Sequence, residues 1–136
     1  MTKNYDHHSI KVLKKLEPIQ KSPGMFIGST EKATHLVTEA FDNSQDEAKA
    51  GYADLIGVII DTKQKIYTIL DNGRGIPFKN DTIITVATEL FSGGKFEKGG
   101  ENSSYGIATG LHGVGIVAIT ALSDFLQIDV VRDGKH

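Results

Sequence analysis

The chain has no cysteine. Disulfide staples and thiolate metal sites are therefore excluded, and a reducing compartment is a natural fit. Charge of one sign is also missing: fifteen Lys and Arg face seventeen Asp and Glu, for a formal net charge of −2. No basic tract of the kind that neutralises phosphates is present, so direct DNA or RNA binding by these residues is not expected. Long apolar runs are absent as well. The first residues, Met1-Thr-Lys-Asn-Tyr5-Asp-His-His8, are polar and lack the core of a signal peptide. Nothing approaches the length of a bilayer span, so no membrane association is expected. The expectation is a soluble, cytoplasmic chain, with 136 residues forming one domain around an ordinary core.

Against these absences stands the run Glu39-Ala-Phe-Asp-Asn43-Ser-Gln-Asp46-Glu47-Ala48. On a helix at about 100° per residue it separates into two unlike faces. Val37, Ala40, Phe41, Ser44 and Ala48 make a mostly apolar stripe. His35, Glu39, Asn43 and Asp46 line the opposite side, with Lys49 off to the flank. A solvated face would account for the second stripe. So would chemistry, because a carboxylate one turn from a carboxamide suits a general base beside a hard-metal ligand.

The rest of the chain reads as mixed α and β. Residues 1–8 read as a polar arm, followed by a short amphipathic helix from Ser9 to Glu17 that Pro18 ends. The long helix spans Ala33 to Ala50 and stops at Gly51. Leu55–Ile60 and Lys65–Leu70 are predicted strands joined by the polar turn Asp61-Thr-Lys-Gln64. Helical patterns follow at Ile83–Phe91 and Val114–Leu122, with a predicted strand from Phe125 to Val131. This order suggests an α/β (α+β) two-layer sandwich rather than a doubly wound parallel sheet. Asp133-Gly134 reads as a tight hairpin turn with only Lys135 and His136 after it, so the chain is expected to be a fragment lacking its last strands.

Eight of the fifteen glycines fall between Gly93 and Gly115. Such density suggests a segment that moves, or a backbone that approaches a ligand closely. The last cluster, Gly110-Leu111-His112-Gly113-Val114-Gly115, leads straight into an apolar helix, where outward N–H groups could hold a phosphate. It is neither a P-loop nor a dinucleotide fingerprint, since its spacing is Gly-x-x-Gly-x-Gly and no strand runs directly into it. A second cluster, Asp71-Asn-Gly73-Arg-Gly75-Ile76-Pro77, follows a predicted strand. It reads as a turn, or as a carboxylate placed to accept from an amino group on a base.

Glu39-x-x-x-Asn43, Asp71-x-Gly73-x-Gly75 and Gly110-x-x-Gly113-x-Gly115, in this order, resemble the GHKL ATPases with the Bergerat fold. These include type IIA topoisomerases, ninety-kilodalton heat-shock chaperones, MutL proteins and sensor histidine kinases. Pro23-Gly-Met-Phe-Ile-Gly28, Asp42-Asn43-Ser-x-Asp46-Glu47-Ala48, Gly93-Gly-Lys-Phe96 and Gly110-Leu-His-Gly-Val-Gly115 narrow it to the ATPase subunits of the gyrase and topoisomerase IV class. The resemblance covers nearly the whole chain. It implies the amino-terminal part of such a domain over residues 1–136, with 1–15 as dimerisation arm and first helix and 92–113 as ATP lid.

The resemblance also implies roles. Glu39 matches the general base that activates water, and His35 a residue that helps to orient or polarise it. Asn43 matches the ligand of Mg2+. Asp71 matches the carboxylate that accepts from the adenine amino group, with Gly75, Ile76 and Pro77 as floor and rim of the pocket. Lys95 stands near the start of the lid, and Gly110, Leu111, His112, Gly113, Val114 and Gly115 match the segment whose amides hold the phosphates of ATP. Asp46 falls among the nucleotide-binding positions. Arg74 and Arg132 match arginines at the pocket mouth. Tyr5 and Ile10 match an arm that reaches the other protomer of a homodimer. Partners implied through the parent are the DNA-cleaving A-type subunit and DNA, and the pocket is of a kind that takes ATP-competitive inhibitors.

The chain departs from the family at several points. Thr109 replaces a glycine, which should stiffen the lid hinge. Phe91-Ser92 stands for a usual His-Ala, Phe26 for Tyr, and Thr120 for Asn. The segment from Pro77 to Phe91 is short, so the pocket rim there is open or rebuilt. The family's adenine-contacting threonine and its γ-phosphate lysine fall beyond position 136, and the isolated piece is expected to turn over poorly. A nucleotide-binding switch without useful turnover is the alternative reading. A histidine kinase requires a phospho-accepting domain that the sequence does not show.

Overall fold

The structure is a computed structural model that describes residues 13–28, 33–78, 81–90 and 113–136. Its elements run α1 (Glu17–Lys21), α2 (Gly24–Ile27), α3 (Thr34–Lys49), β1 (Ile56–Asp61), β2 (Ile66–Asp71), α4 (Thr82–Thr88) and α5 (Gly115–Leu122). Among the described residues this is an α+β arrangement with one two-stranded antiparallel sheet.

The buried centre is helical. Ile19 of α1 and Val114, Val117 and Ala118 around α5 are buried, with Leu16, Phe26, Ile27, Leu36, Leu90, Ala121 and Leu122 packed against them. α5 can sit at this centre because Gly-Ile-Val-Ala-Ile-Thr-Ala-Leu carries a single polar side chain. That one, Thr120, donates its hydroxyl back to the Ile116 carbonyl at 3.0 Å. α3 lies against both α5 and β2, and so joins the helical centre to the sheet.

β1 and β2 pair from Ile56 opposite Asp71 to Asp61 opposite Ile66. The turn forms as its composition dictates: Asp61 Oδ1 accepts from the N–H groups of Lys63 and Gln64, both at 2.9 Å. α3 ends in a Schellman motif. Gly51 takes φ +79° and donates to the Ala48 carbonyl at 3.0 Å, and the Tyr52 N–H reaches the Glu47 carbonyl at 2.9 Å.

Three expectations need correction. Pro18 does not end a helix; it occupies the first turn of α1, where the missing N–H costs nothing. The helix expected to reach Phe91 stops at Thr88, with Glu89 extended. Its run Thr-Ile-Ile-Thr-Val is β-branched throughout, and such side chains lose χ1 freedom in a helix. The segment Phe125–Val131 is not a strand, because among the described residues no neighbour forms a ladder with it. Beyond it the expected hairpin turn is present. Asp133 and Gly134 both have positive φ, +52° and +72°, and Arg132 and Lys135 exchange two backbone hydrogen bonds at 2.9 Å. Among the described residues no helix is long and apolar enough to cross a membrane.

Candidate functional site

The site lies where α3 meets the end of β2 and the start of α5. On α3 the polar stripe is not the solvated one. His35 is exposed, but Glu39 and Asn43 are half-buried and Asp46 is 1% exposed. The stripe read as apolar is half-buried at Val37, Ala40, Phe41 and Ala48 and buried at Ser44. A helix that turns two carboxylates and a carboxamide away from water requires partners for them.

Those partners define the geometry. The Glu39 carboxylate lies on the backbone of Gly115, the first residue of α5. A Cβ added at Gly115 would meet Glu39 Oε2 at 2.6 Å and its Cβ at 3.2 Å. One turn later, Asn43 Nδ2 donates to the Glu39 carbonyl at 3.1 Å, which commits the nitrogen end of the amide to the helix. Ser44 donates its hydroxyl to Asp71 Oδ2 at 2.7 Å, and the Gly73 N–H donates to Asp71 Oδ1 at 2.9 Å. The carboxylate at the end of β2 is thereby held from both sides.

The segment after Asp71 is held with equal care. Arg74 donates Nη2 and Nε to the two oxygens of Glu47 at 2.9 and 3.0 Å, and its backbone N–H reaches Oε2 at 3.1 Å. Gly75 takes φ +69°, and a Cβ there would meet Val130 Cγ1 at 2.9 Å. Its carbonyl accepts from Arg132 Nη1 at 2.8 Å. Ile76 is half-buried and Pro77 exposed.

The structure thus sets Glu39 of α3 against Gly115 at the start of α5 and, through Ser44, ties the same helix to Asp71 at the end of β2. Asp46 is buried on α3, Gly75 lies four residues beyond Asp71 against Val130 and Arg132, and Gly113 and the buried Val114 lead into α5. His35 stands one turn before Glu39 on the same helix face. Tyr5, Ile10, Lys95, Gly110, Leu111 and His112, with nearly all of the proposed lid, lie outside the described residues. Two contacts were not foreseen. Ser44 reads as one of the apolar stripe, although a hydroxyl there was a sign of a polar partner, and Glu47 carries no expected role although it anchors Arg74.

Among the described residues no group of three or more His, Asp or Glu side chains could hold a metal ion. A lone carboxamide such as Asn43 could serve only a cation bound mainly through ligand oxygens and waters. Two concave surfaces among the described residues lie elsewhere. The larger, of about 450 Å³, is lined by Ile83, Ile84, Ala87, Phe125, Leu126 and neighbours, without Glu39, Asn43 or Asp71. Its mostly apolar lining also includes Thr88, Thr120, Ser123 and Asp124 but no cationic side chain to meet an anionic ligand, so the polar contacts of α3 are the better guide to chemistry.

The chain is homologous over nearly its whole length to the B subunits of the type IIA DNA topoisomerases. It is 48% identical to the B subunit of DNA topoisomerase 4 from Mycoplasma pneumoniae, with 99% of this chain and 22% of that protein covered. It is 49% identical to the DNA gyrase B subunit of Borreliella burgdorferi, covering 97% of this chain and 21% of the relative. It is 48% identical to the DNA gyrase B subunit of Thermotoga maritima, covering 96% and 21%. The chain therefore spans about a fifth of the length of the relatives it matches. No protein-family model matches it.

Proposed function

We propose that these residues are the amino-terminal part of a GHKL-type nucleotide-binding domain that binds and hydrolyses ATP with Mg2+ in a type IIA topoisomerase subunit. The observation that carries the reading is the placement of Glu39. Its carboxylate rests on the backbone at the start of α5, one helical turn from Asn43, while the next residue, Ser44, holds Asp71. A base, a cation ligand and a base-recognition carboxylate thus share one helix and its direct contact.

In this reading Glu39 takes a proton from water as it attacks the terminal phosphorus, with His35 helping to orient that water, and ADP is the leaving group. Asn43 offers its side-chain oxygen to magnesium, which when bound neutralises charge on the phosphate oxygens. Asp71 accepts from the adenine amino group, Gly75, Ile76 and Pro77 border the ring, and Asp46 falls among the nucleotide-binding positions. Backbone N–H groups from Gly110 to Gly115, with Lys95 near the lid's start, hold the phosphates. In the whole protein, ATP binding drives homodimer closure through the arm carrying Tyr5, and closure is coupled to DNA passage with an A-type subunit, in the cytoplasm. The same pocket would take ATP-competitive inhibitors.

The test is calorimetry of the full-length protein with non-hydrolysable analogues of ATP and GTP, each with Mg2+, beside steady-state turnover. The reading requires adenine-selective binding that strengthens with Mg2+. Absence of nucleotide binding, or equal binding of both bases, would refute it.

A further inference from the structure

We infer that the turn after α3, residues 51–55, is a strap that fixes the segment from Asp71 to Gly75, and that Tyr52 is its positioning residue. The inference rests on the reading of Asp71 as the base-contacting carboxylate.

Two anchors alternate along that segment. Asn72 Oδ1 accepts from the N–H groups of Asp54 and Leu55, both at 3.1 Å, and its Nδ2 donates to Asp54 Oδ1 at 2.6 Å. Two residues on, the Arg74 guanidinium carbon lies 3.5 Å from the centre of the Tyr52 ring. Glu47 takes the edge of that guanidinium by two hydrogen bonds, so the cation is held by edge and face at once. Gly73 sits between the anchors, and its N–H is the donor that holds Asp71 Oδ1. Where residues 72 and 74 are fixed, that donor is fixed, and the carboxylate has a defined orientation.

The local sequence explains why Tyr52 can do this. The left-handed Gly51 reverses the chain, and the Tyr52 N–H closes on the Glu47 carbonyl. The ring is thereby delivered beside the residue whose carboxylate grips Arg74. Tyr52 is 48% exposed, so core filling does not account for it. The ring touches no ligand on this account; it acts through Arg74 and Gly73.

The experiment compares Tyr52→Leu, Tyr52→Phe, Asn72→Ala and Asp71→Ala in the full-length protein, by calorimetry with ATP and GTP analogues and by turnover. Tyr52→Leu should weaken ATP-analogue binding about twofold to fivefold, the range a cation–π contact at an exposed site supports. It should reduce the preference for adenine over guanine, and leave turnover at saturating ATP unchanged. Tyr52→Phe keeps the ring and should behave as wild type. Asn72→Ala should reproduce the Tyr52→Leu pattern. Equal weakening toward both bases, wild-type binding by Tyr52→Leu, or loss in Tyr52→Phe would overturn the inference. An Asp71→Ala protein that binds adenine normally would instead refute the underlying site reading, and the strap with it.

Discussion

The Ser44 hydroxyl donates to Asp71 Oδ2 across 2.7 Å, and so ties the middle of α3 to the last residue of β2. The helix that carries Glu39 and Asn43 is thereby indexed to the carboxylate assigned to base recognition. Ser44→Ala removes this tie without adding bulk. Asp71 is solvent-exposed in the structure, so the lower part of the range for bonds to charged groups applies. Adenine-nucleotide affinity should fall about tenfold. Turnover at saturation should hold, and calorimetry beside kinetics separates the two.

Asp71 itself should matter more. Asp71→Ala removes the acceptor and should abolish the preference for adenine over guanine. Asp71→Asn should weaken binding, because the amide can present a donor where an acceptor is needed. Retained selectivity in both variants would reduce Asp71 to a turn residue held by Gly73.

Gly115 separates folding from chemistry. It begins α5, where alanine is intrinsically the better helix former, though by less than the roughly 1 kcal/mol of a helix interior. Yet a Cβ there would meet Glu39 Oε2 at 2.6 Å. The carboxylate end of that side chain can swing aside, but Glu39 Cβ at 3.2 Å must also give by a few tenths of an ångström, so Gly115→Ala should lower the melting temperature modestly. Turnover should fall at least about tenfold, because a displaced base loses its geometry.

Gly75 is the opposite case. With φ +69° and Val130 Cγ1 at 2.9 Å from where a Cβ would stand, no cheap relaxation is available. Gly75→Ala should destabilise the fold by about 1–3 kcal/mol, read by denaturant unfolding, and should weaken nucleotide binding with it.

Much of this was legible because local chemistry decided it. α3, both strands and α5 form within a residue or so of where their composition and flanking turns put them, Gly51 ends α3, and Asp133-Gly134 turns the chain. Errors arose where tertiary context or position within an element mattered. Pro18 punctuates a helix, but whether it starts or ends one depends on which side the helix lies. Phe125–Val131 has strand composition, yet a strand exists only with a neighbour to pair with. Ser44, Glu47, Tyr52 and Asn72 are ordinary residue types whose partners lie far away in sequence, and only the fold brings them together. The homology to topoisomerase B subunits was legible from the motif wording, with the relatives at 44–49% identity agreeing. The expectations for the arm and the lid concern residues outside those described.

The central claim is that Glu39 acts on water and not on nucleotide binding. It is tested most directly by Glu39→Ala in the full-length protein, measured by steady-state ATP turnover and by equilibrium binding of a non-hydrolysable ATP analogue. The account predicts that turnover falls about 10²–10⁴-fold, the usual contribution of a general base, while the analogue binds within a few-fold of wild type. Turnover near wild type, or a loss of binding that matches the loss of turnover, would contradict it.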